Sequence, residues 1–186
     1  IINVGTGYFA ILYIGTAGDL ILATVDIDSV GAIGAAITDS LIIDANPTST
    51  VYPSICLVAS GYYAIAFSDD TDNDTKVVTI DISSAGAIGA ALIDTLVLDA
   101  TALVGNPHIT PVSSTTFIVA WSDSAADGQV ATLTISSAGV ITDTLLDQFE
   151  YNTIQATTPI VIVIDSTSSP LIFAIVYTDG NGDGQI

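Results

Sequence analysis

The segment Asp179-Gly180-Asn181-Gly182-Asp183-Gly184-Gln185-Ile186 carries oxygen-bearing side chains at alternate positions, a glycine at the sixth and an apolar residue at the eighth. Calcium takes several hard oxygen ligands, and a calcium loop supplies them from its first, third and fifth side chains and a backbone carbonyl at the seventh position. Asp179, Asn181, Asp183 and Gln185 are therefore the residues expected to hold calcium. Asp70, Asp72 and Asp74 repeat the alternation, with Thr75 in the glycine position. Asp123, Asp127 and Gly128 keep part of it, with Ala125 where a ligand should stand. Asp-Gly is equally good hairpin chemistry, the glycine supplying positive φ. Both readings stay open.

Other chemistry is sparse. His108 is the sole histidine. It has no second histidine, cysteine or acid in register, so the expectation is a structural side chain on an inner strand. Cys56, the sole cysteine, reads as a small buried apolar residue. No Gly-x-Ser-x-Gly elbow is present. Paired carboxylates for glycoside chemistry would have to converge from separate repeats. Asn73-Asp74-Thr75 is a glycosylation sequon in a turn. The tyrosines and Trp121 fall mainly in apolar strands, which predicts packing instead of a sugar-stacking platform.

These turns are positioned by a repeat. Tyr63-Ala64-Ile65-Ala66-Phe67-Ser68-Asp69 recurs as Phe117-Ile118-Val119-Ala120-Trp121-Ser122-Asp123, from 63 to 117 a spacing of 54. Phe9-Ala10-Ile11-Leu12-Tyr13 is an earlier copy and Phe173-Ala174-Ile175-Val176-Tyr177 a later one. Such spacing in a strand-rich chain points to blades stacked around an axis. In blade two, strand A reads from Pro53 to Val58, B from Tyr62 to Ser68, C from Lys76 to Ser83, and D ends near Asp99. The B strands are continuous apolar runs, as strands covered on both faces are. The C strands alternate, as in Thr79-Ile80-Asp81-Ile82, which predicts half-exposure. Blade three closes early with Asp143-Thr144-Leu145. The boundaries fall at about 1–45, 51–100, 106–148 and 158–186. The expected fold is all-β: part of a β-propeller, about 3.5 four-stranded antiparallel blades. Ile1 lies inside a strand A and Ile186 at the opening of a strand C. The expectation is a piece of a larger ring, or copies that complete one another's split blade.

Composition narrows the partners. Twenty acidic residues against one basic side chain, Lys76, give a formal charge of −19. Nucleic acid and anionic membranes need Lys and Arg to meet phosphates, so both are excluded as partners. No apolar run reaches the ~18 residues of a membrane helix, so no membrane insertion is expected. Self-repulsion at this charge calls for salt or divalent cations around the folded chain.

The pattern Pro-Ser-Ile-x-x-Val-x-x-x-x-Tyr-Ala-Ile-Ala-Phe, followed by an Asp/Gly-rich turn and Val-x-Thr-Ile-x-Ile-x-x-x-Gly-x-Ile, resembles the blade repeats of large secreted or surface-anchored β-propeller proteins of archaea and bacteria. That resemblance implies a four-stranded-blade propeller and an extracellular or cell-surface location, and brings no catalytic residues. The turns also resemble EF-hand-type loops and the calcium hairpins of integrin-type propellers, although Val78 and Ala131 stand where the latter add a further Asp. The functional expectation is a non-enzymatic extracellular scaffold or adhesion platform. Its partners would be other copies of itself, further blades of a parent chain, extracellular glycans or surface proteins. The alternative is a calcium-assisted, lectin-like propeller.

Overall fold

The structure, a computed structural model, describes residues 1–45, 52–69, 74–101, 106–165 and 172–186. Asp70, Asp72 and Asn73 lie outside the described residues.

Fifteen strands among the described residues form four separate antiparallel sheets, each with its strands in chain order. Blade one comprises β1 (Ile2–Gly5), β2 (Tyr8–Ile14), β3 (Leu20–Asp26) and β4 (Asp39–Asp44). Blade two comprises β5 (Ser54–Ala59), β6 (Tyr62–Asp69), β7 (Asp74–Asp81) and β8 (Asp94–Asp99). Blade three is built from β9 (His108–Pro111), β10 (Thr116–Ser122), β11 (Gly128–Thr134) and β12 (Asp147–Asn152). Blade four contains β13 (Thr157–Asp165), β14 (Ile172–Thr178) and the two-residue β15 (Gly184–Gln185). Gly7 and Gly61, at positive φ, make the A–B turns of blades one and two, where a Cβ would be strained.

The cores lie between blades. A strand alternates its side chains between two faces, so each second strand serves two interfaces at once. Tyr63, Ile65 and Phe67 of β6 face blade one and join Val4, Ala10, Leu20 and Leu22 in one cluster. Ala64 and Ala66 face the other way and meet Phe117, Val119 and Trp121 of β10. Ile118 and Ala120 then pack with Val161, Val163 and Ile175 of blade four. The large side chains of each blade thus enter the small-residue flank of the one before. Full burial of side chains the size of Phe67, Phe117 and Trp121 contributes about 1.5–3 kcal/mol each.

Two polar contacts recur on the outer side of the first two blade interfaces. The Thr24 hydroxyl donates to the Gly86 carbonyl at 2.6 Å, and the Asp39 carboxylate accepts the Ile88 N–H at 2.8 Å. One blade on, Thr79 donates to the Gly139 carbonyl at 2.5 Å and Asp94 accepts the Ile141 N–H at 2.8 Å. The inner strands are tied likewise: the Ser54 hydroxyl oxygen accepts from the Ile109 N–H at 2.8 Å, and His108 Nδ1 accepts from the Val161 N–H at 3.3 Å.

Two expectations need correction. The third strands are not half-exposed: β7 is buried at Thr75, Val77, Val78, Thr79 and Ile80. Thr24 and Thr79 are buried because their hydroxyls bond to the neighbouring blade, and the Thr75 hydroxyl pairs with that of Ser68 within its own blade. The half-exposed strands are the outermost, β8 and β12. Blade three also runs past 148, to Asn152. Asp143-Thr144-Leu145 copies the letters of Asp94-Thr95-Leu96, but Asp147 is the residue opposite Thr132, as Asp94 is opposite Thr79.

Thr79→Val keeps the shape of the side chain and leaves the Gly139 carbonyl without this donor. Stability should fall by about 1–3 kcal/mol. A lower urea midpoint at unchanged slope is the expected reading; an unaltered midpoint would show that the hydroxyl bond stabilises nothing.

Candidate functional site

The β10–β11 and β14–β15 turns and the connection from β12 to β13 share one end of the stack. The Ala156 N–H donates to the Ala126 carbonyl at 2.8 Å, which fixes that connection against the β10–β11 turn. A Cβ on Gly180 would sit 2.9 Å from Gln155 Oε1, so the β14–β15 turn reaches the same connection from the other side. Asp123, Asp127, Asp179 and Asp183 lie in these turns, and Glu150 on β12 approaches Asp127.

The two turns are built alike. Asp179 Oδ1 accepts the Asn181 and Asp183 N–H groups at 2.9 and 3.0 Å, and Oδ2 accepts Gln185 Nε2 at 3.0 Å. Asp123 Oδ1 accepts the Ala125 and Asp127 N–H groups at 2.9 and 3.0 Å, and Oδ2 accepts Gln129 Nε2 at 3.1 Å. Each leading aspartate is thus held by its own loop and latched by a glutamine six residues on. The positive-φ residue is the fourth of the turn, Gly182 or Ala126 (φ 82° and 66°), not the sixth. At the sixth place, Gly128 is required by packing, since a Cβ there would come within 2.4 Å of the Tyr151 ring. An aspartate that accepts the backbone N–H two residues on, as in an Asx turn, accounts for this geometry.

Electrostatics follow from these bonds. The backbone donors of Asp183 and Asn181 hold the Asp179 carboxyl below its ordinary range. Partial desolvation, then the carboxylates of Asp123 and Glu150, raise Asp127. In blade two, Asp74 opens β7, and its carboxylate lies 3.6 Å from Lys76 Nζ. The same ammonium sits 2.9 Å from the fully buried side chain of Asp69. Among the described residues, no three His, Cys, Asp or Glu side chains gather as ligands of one metal ion.

The remaining residues with chemical potential are structural in placement. Burial lowers the His108 pKa, and its ring joins the inner strands of blades three and four. Burial pushes the Cys56 thiol up to about 12, which keeps it protonated and unreactive. Tyr63 and Trp121 are buried between blades; Tyr177 is different. It lines a cleft of about 510 Å³ with Asn152, Ile154, Gln155, Asp179 and Asn181. Sequence spacing singled out Gln185 as a calcium-loop position but did not point to Gln129, nor to Asn152 and Gln155, whose roles depend on contacts between segments distant in the chain.

No protein-family model matches the chain, and no curated protein matches it either. Among solved structures, the NanB sialidase of Streptococcus pneumoniae is similar in its complex with Optactamide, with a TM-score of 0.61 at 11% identity. A second NanB structure, bound to a chlorobenzyl-ammonio-ethanesulfonate, gives 0.59 at 10% identity. In each case the match covers 92% of this chain and 26% of the sialidase. The chain therefore spans about a quarter of the length of these structures. The shared feature is the fold: all-β, with the open antiparallel sheets of a partial β-propeller.

A carboxylate whose pKa is depressed in the folded state stabilises it above the unfolded value, and that contribution is lost as pH falls through the folded value. Asp179→Ala should therefore lower the melting temperature at neutral pH, and the difference from the parent protein should shrink well below the ordinary value of 3.8. Calorimetry across a pH series reads this directly. A difference independent of pH would mean that the ionised carboxylate does not hold the turn.

Proposed function

We propose that this chain is a non-enzymatic extracellular repeat module, serving as a surface or filament scaffold or adhesion platform through blade-on-blade docking. The observation that carries the reading is the complementarity of its two end flanks. Blade one leaves its large-residue flank uncovered, with Phe9 and Ile11 half-buried and Tyr13 exposed. Its Gly31 turn is exposed where Gly86 and Gly139 are buried, and Ile33 is 68% exposed where Ile141 is 3%. At the other end, blade four exposes Ile160, Ile162, Ile164 and Ile172 on the face turned away from blade three. Ala174 and Val176 lie on that same face. This is the small-residue flank that, elsewhere in the stack, receives a neighbour's aromatic residues. Contiguous exposed apolar surface of this kind marks interaction sites.

The partners that fit are therefore further blades of the same kind, from a parent chain or from other copies. Aspartates already bonded to their own loops suit turn-building better than acid–base chemistry, which favours a binding module over an enzyme. The acidic turn face, together with the resemblance to secreted repeat proteins, supports an extracellular setting. Calcium in the turns would screen that face and rigidify the hairpins. A second reading, a carbohydrate-binding propeller, draws on the polar cleft beside Tyr177 and Asp179.

Two experiments test the proposal. In sedimentation velocity over a concentration series the chain should self-associate, and Ile162→Glu should weaken this by about tenfold or more. Sedimentation as a monomer throughout, unaltered by the substitution, would remove flank docking. For the turns, millimolar calcium should raise the melting temperature by a few degrees through binding to the native state. An identical melt in chelator would remove calcium from the account.

A further inference from the structure

We infer that the cleft between the β12–β13 connection and the β14–β15 turn is a preformed site for a neutral oligosaccharide, working without a metal ion. The inference takes its ligand class from the second reading above and departs from it over the cation. At about 510 Å³ the cleft is within the range of small-molecule sites.

Its walls are clamped together before any ligand arrives. Asn152 Oδ1 accepts the Ile154 and Gln155 N–H groups at 2.8 and 3.0 Å, which shapes one wall. Asn152 Nδ2 donates to the Tyr177 hydroxyl at 3.0 Å, which ties that wall to β14. The Tyr177 ring is backed by Tyr151, with ring centroids 5.3 Å apart and planes tilted by 58°. A platform fixed in this way costs little entropy when a ligand is seated.

The chemistry of the lining selects the ligand. The Tyr177 hydroxyl accepts from Asn152 and keeps its own proton to donate. The Gln155 and Asn181 side-chain amides each carry donors and an acceptor. Sugar hydroxyls likewise both donate and accept. The Tyr177 ring and the exposed Ile154 side chain supply apolar surface for the C–H face of a pyranose. Charge then excludes the other classes. The ionised Asp179 at the wall and the net charge of −19 repel uronates, sialylated glycans and phosphosugars. A cationic ligand finds little at Asp179, whose two oxygens already accept three donors from the loop.

The test titrates the 186-residue protein with gluco-, manno- and galacto-hexaoses, and with sialyllactose and hexagalacturonate, each in EDTA and in calcium. Backbone amide chemical shifts provide the readout. The expected result is that at least one neutral hexaose shifts residues 152–155 and 177–185 in EDTA, with either anionic sugar at least about tenfold weaker. Gln155→Ala should weaken binding by about tenfold, and Asn181→Trp, which fills the cleft from an exposed turn, should abolish it with the melting temperature unchanged. Binding that requires calcium would overturn the metal-free inference and leave the calcium-assisted reading standing. Absence of any shift at about 10 mM of every neutral sugar, with or without calcium, would overturn both. Equal binding of the anionic sugars, or binding indifferent to Asn181→Trp, would also overturn it.

Discussion

Blade contact is a directional interlock, and the rest of the molecule depends on it. A pleated strand turns successive side chains to opposite faces, so one stretch of β6 must satisfy two neighbours at the same time. It does so by giving Tyr63, Ile65 and Phe67 to blade one and Ala64 and Ala66 to blade three. The alanines leave room for Phe117, Val119 and Trp121, and the sheets can then approach closely enough for Thr79 to reach the Gly139 carbonyl. Apolar fit sets the spacing and the hydroxyl sets the register. Once both are fixed, the β10–β11 and β14–β15 turns emerge at the same end of the stack. The acidic face and the cleft beside Tyr177 are consequences of that arrangement.

A chain with one basic side chain must find other uses for its carboxylates. Lys76 is placed at the buried Asp69, where an uncompensated charge would be most costly. Many of the remaining aspartates bond to backbone N–H groups. Asp28 holds the turn at Val30 and Ala32; Asp39, Asp94 and Asp147 each accept from the residue that follows them as an outer strand begins; Asp123 and Asp179 close their hairpins. Asp39 and Asp94 do more, since their second oxygens also bind the next blade. Hydrogen bonds to charged acceptors are stronger than those between neutral groups, so the acidic composition builds turns as well as repelling itself.

Much of this was legible in the sequence, and the failures share a cause. Period, strand order and the buried second strands follow from local pattern, because a blade is a local meander. The alternating threonines were misleading because polarity normally signals water, whereas Thr24 and Thr79 find their acceptors about 60 residues away in the next blade. Asp143-Thr144-Leu145 misled because three matching letters outweighed register, which only the pairing of Thr132 with Asp147 settles. His108 is intelligible only beside Ser54: both accept a backbone N–H from the following blade, and a hydroxyl and an imidazole nitrogen can do that equally well. The Asp-rich turns were read as sets of oxygen ligands; in the structure the Asp123 and Asp179 carboxylates accept from the amides of their own loops.

The same interlock dictates how these flanks can be used. An isologous two-fold contact would set large flank against large, or small against small. Either pairing would bring Phe9 and Tyr13 against their own copies, or leave the isoleucine face of blade four without the aromatic side chains that such a face receives inside the stack. Only a head-to-tail contact repeats the packing already present three times between blades one and four. Surfaces of this kind extend or close a series of blades in one direction.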